Sequence, residues 1–290
     1  MKTLALIGTL LLSASAAAPD VRGDPIDLCD FSLTFEDSFD EMSISAWELN
    51  GKRWMAHTPW SGDFGDAAFA DPGPGGPFSL RDGALQITAS RDKTGRWRSG
   101  LIAAADASGK GVGTQYGYFE ARMRFPPGPG TWPAFWLISL KPVSDKTPKV
   151  EIDAVEYYGH DDSSYQVAWH VWFEGKDQDK FNRGGGAKVS VPAGSLLDRY
   201  HDYGVRVEPD WTTFYLDRKS VARVPTPREL KTPLYPLVNL ALGSGYPIDK
   251  TPDPSVLLVE YVRIYRDDPA GRSTRCPAKP QAATDRSPGN

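Results

Sequence analysis

The sequence predicts an all-β domain, a β-sandwich or jelly roll. Three observations lead there. Short runs of alternating apolar and polar residues recur along the chain, with turn residues between them. No stretch of useful length carries the 3.6-residue period of a helix. No repeat or linker divides the 290 residues, so they fit one large β domain. The composition is that of an ordinary soluble protein, 40% hydrophobic and 24% charged with net charge −4. Such a balance excludes a broad basic surface for nucleic acid.

Residues 1–18 read as a secretory signal. Lys2 supplies the positive start, Leu4 to Leu12 the apolar run, and Ala14-Ser15-Ala16 a small-residue cleavage site. The run is too short to span a bilayer. The mature chain is expected to be secreted, extracellular or periplasmic, a monomer without a membrane or nucleic-acid partner. Residues 19–30 form a polar lead-in. Cys29 and Cys276 are the only cysteines and sit near opposite ends of the chain. Export permits a disulfide, and domain termini often lie close together, so the two are expected to pair.

The domain is expected over residues 31–266. Phe31 to Asp40 alternates as a strand. Residues 51–78 mix Trp54, Trp60, Phe64 and Phe69 with Gly, Pro and Asp, a long loop of the kind that often carries function. Arg81-Asp82-Gly83-Ala84 signals a hairpin, and 84–89 and 100–105 continue as strands. Tyr116 to Phe125 alternates and stops at Pro126-Pro127-Gly128-Pro129-Gly130. Residues 131–138, 150–158 and 165–173 are read as strands. Gly184-Gly185-Gly186 is read as a break. Residues 203–208 and 212–216 flank a turn at Pro209-Asp210, and 237–242 and 257–265 complete the set. Residues 267–290, rich in Pro, Ser, Ala and charge, are expected to be a flexible tail.

The chemistry concentrates in Val150-Glu151-Ile152-Asp153-Ala154-Val155-Glu156-Tyr157-Tyr158. Alternate side chains of a strand share a face, so Glu151 and Asp153 point the same way. Glu156 breaks that parity by one residue. A β-bulge at Ala154-Val155 adds one residue and restores the shared face, leaving Ile152 and Tyr157 on the other. Crowded carboxyls repel, and one is pushed toward keeping its proton near neutral pH. One ionised and one protonated carboxyl about 5–5.5 Å apart is what a retaining glycosidase uses. The plain alternative is a solvated acidic strand face. A mixed metal site of Glu151, Asp153, Glu156 and His160 is a further alternative.

The neighbours add weight to the sugar reading. Trp132 and Trp136 share strand parity just before the acids. After them, Val167, Trp169, Val171 and Phe173 take one face, expected as core. Gln166, Ala168, His170 and Trp172 take the other, expected to line a polar, aromatic cleft. Each tryptophan alone reads as packing. Together with the acids they suggest platforms for sugar rings.

These residues resemble glycoside hydrolase family 16. The signature is Glu151-Ile152-Asp153-Ala154-Val155-Glu156, in the longer form that carries the bulge. Supporting blocks are Phe35 to Asp40, Gly117 to Arg122, Trp132-Pro133-Ala134-Phe135-Trp136, Val238 to Gly243 and Val262 to Tyr265. The resemblance implies a concanavalin A-like jelly roll of two antiparallel sheets with a concave cleft. It implies internal cleavage of a polysaccharide with retention. Glu151 would be the nucleophile, Glu156 the general acid/base, and Asp153 the group that hydrogen-bonds the nucleophile. The expected substrate contacts are Trp60, Trp132, Trp136, His170, Trp172 and Asn239. No cofactor is expected beyond a possible structural calcium, whose acidic ligand positions are occupied here by Ser38 and Glu260. The early loop reads Phe64-Gly65-Asp66-Ala67-Ala68-Phe69, without the Asn and Glu of the laminarinase branch. A glycan-binding lectin, a transglycosylase and a polysaccharide lyase are the competing functions.

Overall fold

A computed structural model of the chain describes residues 22–60, 62–175 and 178–276. The expected signal segment, 1–18, and residues 277–290 of the expected tail lie outside that range. Among the described residues two large sheets pack face to face, and helix is confined to single turns. None of those helices is long and apolar enough to cross a membrane.

The eight-stranded sheet carries the acids. Its spatial order is Arg183–Ser190, Ser164–Trp172, Lys149–Glu156, Thr131–Ser139, Leu234–Leu242, Leu101–Ala103, Trp54–Met55 and Ile44–Ser45. We call it the cleft sheet. The ten-stranded back sheet is centred on Ser255–Asp267, which pairs with Phe31–Asp37, Ala84–Arg91 and Gly117–Arg124. The ladders are antiparallel except for two short parallel pairs, Ile44–Ser45 with Trp54–Met55 and Ala68–Phe69 with Trp97–Ser99.

Alternation decides what fills the space between the sheets. Val150, Ile152, Ala154, Val155 and Tyr157 enter the core beside Phe119, Phe135, Val205 and Val259. Each such large side chain gains about 1.5–3 kcal/mol by burial. A slip of one residue would exchange them for carboxyls, so the register of the acidic strand is strongly specified. Val167 and Val171 face the core as expected, with Trp169 and Phe173 packed at its margin.

The cleft sheet is apolar on its outer face as well. Phe69, Leu101, Ala103, Ala134, Trp136, Ile138, Tyr235, Leu237 and Ala241 form a second cluster there. Leu234–Leu242 is therefore buried at all nine positions, an apolar run broken only by Asn239. The cover comes from the aromatic loop, residues 57–60 and 62–70, with Trp60 and Phe64 packed on that cluster.

Three parts of the reading change. Gly184-Gly185-Gly186 is not a break: it lies within the edge strand Arg183–Ser190, paired to Ser164–Trp172. The neighbouring rings lie where glycine side chains would be. A Cβ on Gly184 would meet His170 Nδ1 at 2.5 Å, and one on Gly185 would meet Trp169 Nε1 at 3.0 Å. A strand at Lys219–Pro225 follows a tight turn at Asp217 and Arg218, both at positive φ, with no glycine to announce it.

Residues 267–276 are not a free tail. They hold the end of the last strand, a 3-10 turn and the helical turn Arg272–Arg275. Arg272 donates to Asp27 and Asp30, Arg275 donates to the Cys29 carbonyl, and Cys276 is disulfide-bonded to Cys29 with Cα atoms 5.7 Å apart. Composition missed this because the ties are ionic and covalent rather than apolar.

Candidate active site

The acids sit where the strand is irregular. Along Lys149–Glu156 the register with Thr131–Ser139 runs Ile138 to Glu151 and Trp136 to Asp153, then skips Ala154 to pair Phe135 with Val155 and Ala134 with Glu156. The ladder to Ser164–Trp172 shifts at the same place, between Asp153 and Glu156. The extra residue turns Glu156 onto the face of Glu151 and Asp153. All three carboxyls line one cavity of about 160 Å³, with Trp60, Phe64, Trp132, Ala134, Trp136 and Asn239.

Each glutamate is held by an indole from a different neighbouring strand. Trp132 Nε1 donates to Glu156 Oε1 at 3.2 Å, and Trp172 Nε1 donates to Glu151 Oε2 at 3.1 Å. The Tyr158 hydroxyl donates to the same Glu156 oxygen at 3.1 Å. Trp136 is buried and donates to Asn239 Oδ1 at 2.8 Å, and the Asn239 amide donates to the Trp132 carbonyl. Asn239 thus braces the floor of the cavity.

Asp153 is the most secluded of the three, 4% exposed, and its Oδ2 has no hydrogen-bond partner. His170 Nε2 lies 3.5 Å from that oxygen, and the His170 ring stacks on Trp172 with centroids 5.0 Å apart. Burial keeps His170 below its ordinary pKa, so the ring is neutral at neutral pH.

Burial raises all three carboxyls. Glu151 is pushed up to about 7, by burial first, against the Trp172 hydrogen bond, and further by the charge of Glu156. Asp153 is raised well above the usual range by burial and by both glutamates. Glu156 is raised by burial, opposed by its bonds from Tyr158 and Trp132. Three carboxyls so placed cannot all ionise at neutral pH, and they share protons as a set. Such a set can hold one group as a nucleophilic carboxylate and another as a proton donor.

Two further recesses adjoin the acids. One of about 360 Å³ lies at the Glu151 end, lined by Trp60, Ile138, Lys149, Glu151, Trp172 and Glu174. There Lys149 bonds Glu174, which also accepts from Lys146. The other, about 320 Å³, lies beyond Glu156 and is lined by Tyr158, His160, Asp161, Ser164, Gln166, Lys188, Ser244 and Tyr246. His160 stacks on Tyr246 there, with centroids 3.6 Å apart. It does not join the acids, so the metal grouping with His160 fails. Among the described residues, the donors within 4.8 Å of one another are those of Glu151, Asp153 and His170, and a cation held there would neutralise the carboxyls.

All of the expected catalytic and substrate-contact residues line one of these cavities or touch a residue that does. Reading the sequence missed Tyr158 and Phe64 as site residues. Tyr158 lies two positions after Glu156, so strand parity could have placed it beside that acid. Phe64 carried no signal, because its position depends on how the loop folds back.

The family model for Glycosyl hydrolases family 16 matches residues 84–249, more than half of the chain. Two relatives from Rhizobium meliloti (strain 1021), each named an endo-1,3-1,4-beta-glycanase, EglC and ExsH, are 28% identical over 288 and 290 residues. Those alignments cover 90% of this chain but 58% of each relative. The solved laminarinase catalytic domain from Thermotoga maritima MSB8 superposes with a TM-score of 0.61 at 20% identity. It covers 82% of this chain and 99% of that one, and it shares the fold.

Proposed function

The chain belongs to Glycosyl hydrolases family 16, and from that premise we propose that it is an exported, retaining endo-β-glycosidase. It would cut internal β-glycosidic bonds of a polysaccharide by double displacement. The observation that carries this reading is the bulge at Ala154, which turns three carboxyls into one cavity floored by aromatic rings. A lectin needs the rings but has no use for three acids that destabilise one another by burial.

In this reading Glu151 attacks the anomeric carbon while Glu156 protonates the departing oxygen. The glycosyl-enzyme forms as the glycosidic bond breaks. Water then attacks the same carbon, gives its proton to Glu156, and releases Glu151. Asp153, buried and short of a hydrogen-bond partner, retains the shared proton and donates it toward Glu151. That keeps the nucleophile ionised although burial opposes its charge. Trp172 adds a second donor to Glu151. Trp132 and Tyr158 hold Glu156 in place as it loses and regains its proton.

A structural calcium fits this chain poorly. Ser38 offers a hydroxyl where an acid is needed. Glu260 is already committed to Arg122, whose Nε donates to Oε2 at 2.5 Å. We assign calcium no role in the reaction.

The relatives' names make a β-1,3-1,4-linked glycan the first polymer to test, beside β-glucans, galactans and acidic bacterial polysaccharides. The experiment is reducing-end release from that panel, with the anomer of the first product read by NMR. The expected result is a β-configured product from at least one polymer and none from Glu151→Gln. Equal activity of the two proteins would remove Glu151 from its role. Binding without products would favour the lectin. Unsaturated products absorbing in the ultraviolet would favour a lyase.

A further inference from the structure

The cleft is open on one side of the acids and closed on the other. On the side of Thr131–Ser139 the sheet continues through Leu234–Leu242 and Leu101–Ala103. Strand parity puts Leu237, Asn239, Ala241, Leu101 and Ala103 on the outer face there, and each is 0% exposed. Beyond Asn239, which borders the cavity of the acids, the cover takes the place a sugar would need on those strands. The cover is built from Trp60 and Phe64, with Trp60 also reaching the recess at the Glu151 end that Trp172 lines. Phe64 stands edge-on to Trp132 and Trp136, at 5.4 and 6.1 Å, and Trp60 leans on Trp136 at 6.1 Å.

This cover is pinned rather than draped. The Asp66 amide donates to the Leu242 carbonyl at 2.8 Å, and the Ala70 amide donates to Ser99. His57 bonds Asp71 at 2.8 Å, and Asp63 accepts from the Phe69 amide. Gly65, at φ +74°, approaches so closely that a Cβ would sit 2.4 Å from the Leu242 oxygen. Only about one strand spacing, roughly 4.8 Å, separates the acidic strand from the strand on which the wall rests. On the opposite side His170 and Trp172 are partly exposed, and the edge strand Arg183–Ser190 beyond them is exposed at most of its positions.

We infer that Trp60 and Phe64 form a fixed end wall that leaves room for one sugar ring between itself and the acids. This rests on the glycan reading above. Sugars beyond that ring leave the sheet and add no binding energy, while sugars on the side of Ser164–Trp172 do. The specificity of the site is therefore one-sided, and these two aromatics set its limit.

The test uses a ladder of β-1,3-1,4-linked gluco-oligosaccharides labelled at the reducing end. Wild type is mapped by its cleavage positions, and Glu151→Gln is titrated with the same ladder for binding alone. Adding sugars on one side of the scissile bond is expected to raise kcat/KM severalfold per sugar, and on the other side to leave it flat after the first. The titration should show the same one-sided gain. Trp60→Ala and Phe64→Ala, made separately, should each restore a gain on the flat side. Gains on both sides, no gain on either side in the titration, or an unchanged pattern in both folded variants would overturn the inference. One-sided binding without any cleavage by wild type would fault the hydrolase reading and leave the wall standing.

Discussion

The acidic strand has two flanks, and each sends one indole to one glutamate. Trp132, on the walled flank, holds Glu156, and Trp172, on the open flank, holds Glu151. Their surroundings differ. Trp132 is packed against Phe64 and over a braced, buried floor. Trp172 is stacked on a partly exposed histidine, which itself pairs with Gly184 of the edge strand. Packing thus confines the walled flank, while the open flank keeps its shape through a few polar contacts. Two chemically equal hydrogen bonds should therefore respond unequally to mutation.

The largest effect expected is on the acids themselves. Glu156→Gln should lower kcat about 10²–10⁴-fold, the usual contribution of a general acid. Glu151→Gln should cost at least as much, measured on the same polymer. A Glu156→Gln variant with wild-type kcat would show that the walled flank holds a bystander.

The same acids should cost stability. A carboxyl with a raised pKa keeps its proton longer when folded than when unfolded. The fold therefore loses stability as pH rises from the unfolded value toward the folded one. For Glu151 that window runs from 4.5 to about 7. Glu151→Gln should be more stable than wild type at pH 7, by up to about 3 kcal/mol. The gap in melting temperature should close by pH 4.

Removing the indole donors compares the flanks directly. A hydrogen bond to a charged group is worth about 1.5–3 kcal/mol. Trp172→Phe should weaken the ionised form of Glu151 and move the acidic limb of the kcat/KM profile upward. Trp132→Phe should act on Glu156 while the packed ring keeps its place, so KM should change little. Equal shifts in both limbs from either variant would erase the distinction between flanks.

The smallest effect, and the most specific, is Gly184→Ala. The added methyl would meet the His170 ring at 2.5 Å, and such overpacking costs about 1–3 kcal/mol. His170 should move off Asp153, lowering kcat while the walled flank binds as before. A crystal structure with His170 unmoved, or a wild-type pH profile, would count against the contact.

The β class and most of its strands were legible because alternation is a local property. So was the acidic face: the three acids with a bulge between them can be read from nine residues. The tryptophans of 132, 136 and 172 could be placed by parity alone. The edge strand at Arg183–Ser190 could not, because three glycines signal a turn until a neighbour's rings are seen to occupy their side-chain space. The helical turn at Arg272–Arg275 was hidden for a similar reason. Its anchors, Asp27, Asp30 and Cys29, lie more than 240 residues away in the chain.

By itself the sequence determined which side chains face the core and which face the cleft, since that depends only on a period of two and one inserted residue. Only the tertiary structure decided how far the cleft extends. The aromatic loop has no period of its own, and its rings find their places by packing on strands that follow it by about 30 to 180 residues. Its position is a property of contact between distant parts of the chain, and no local pattern encodes it.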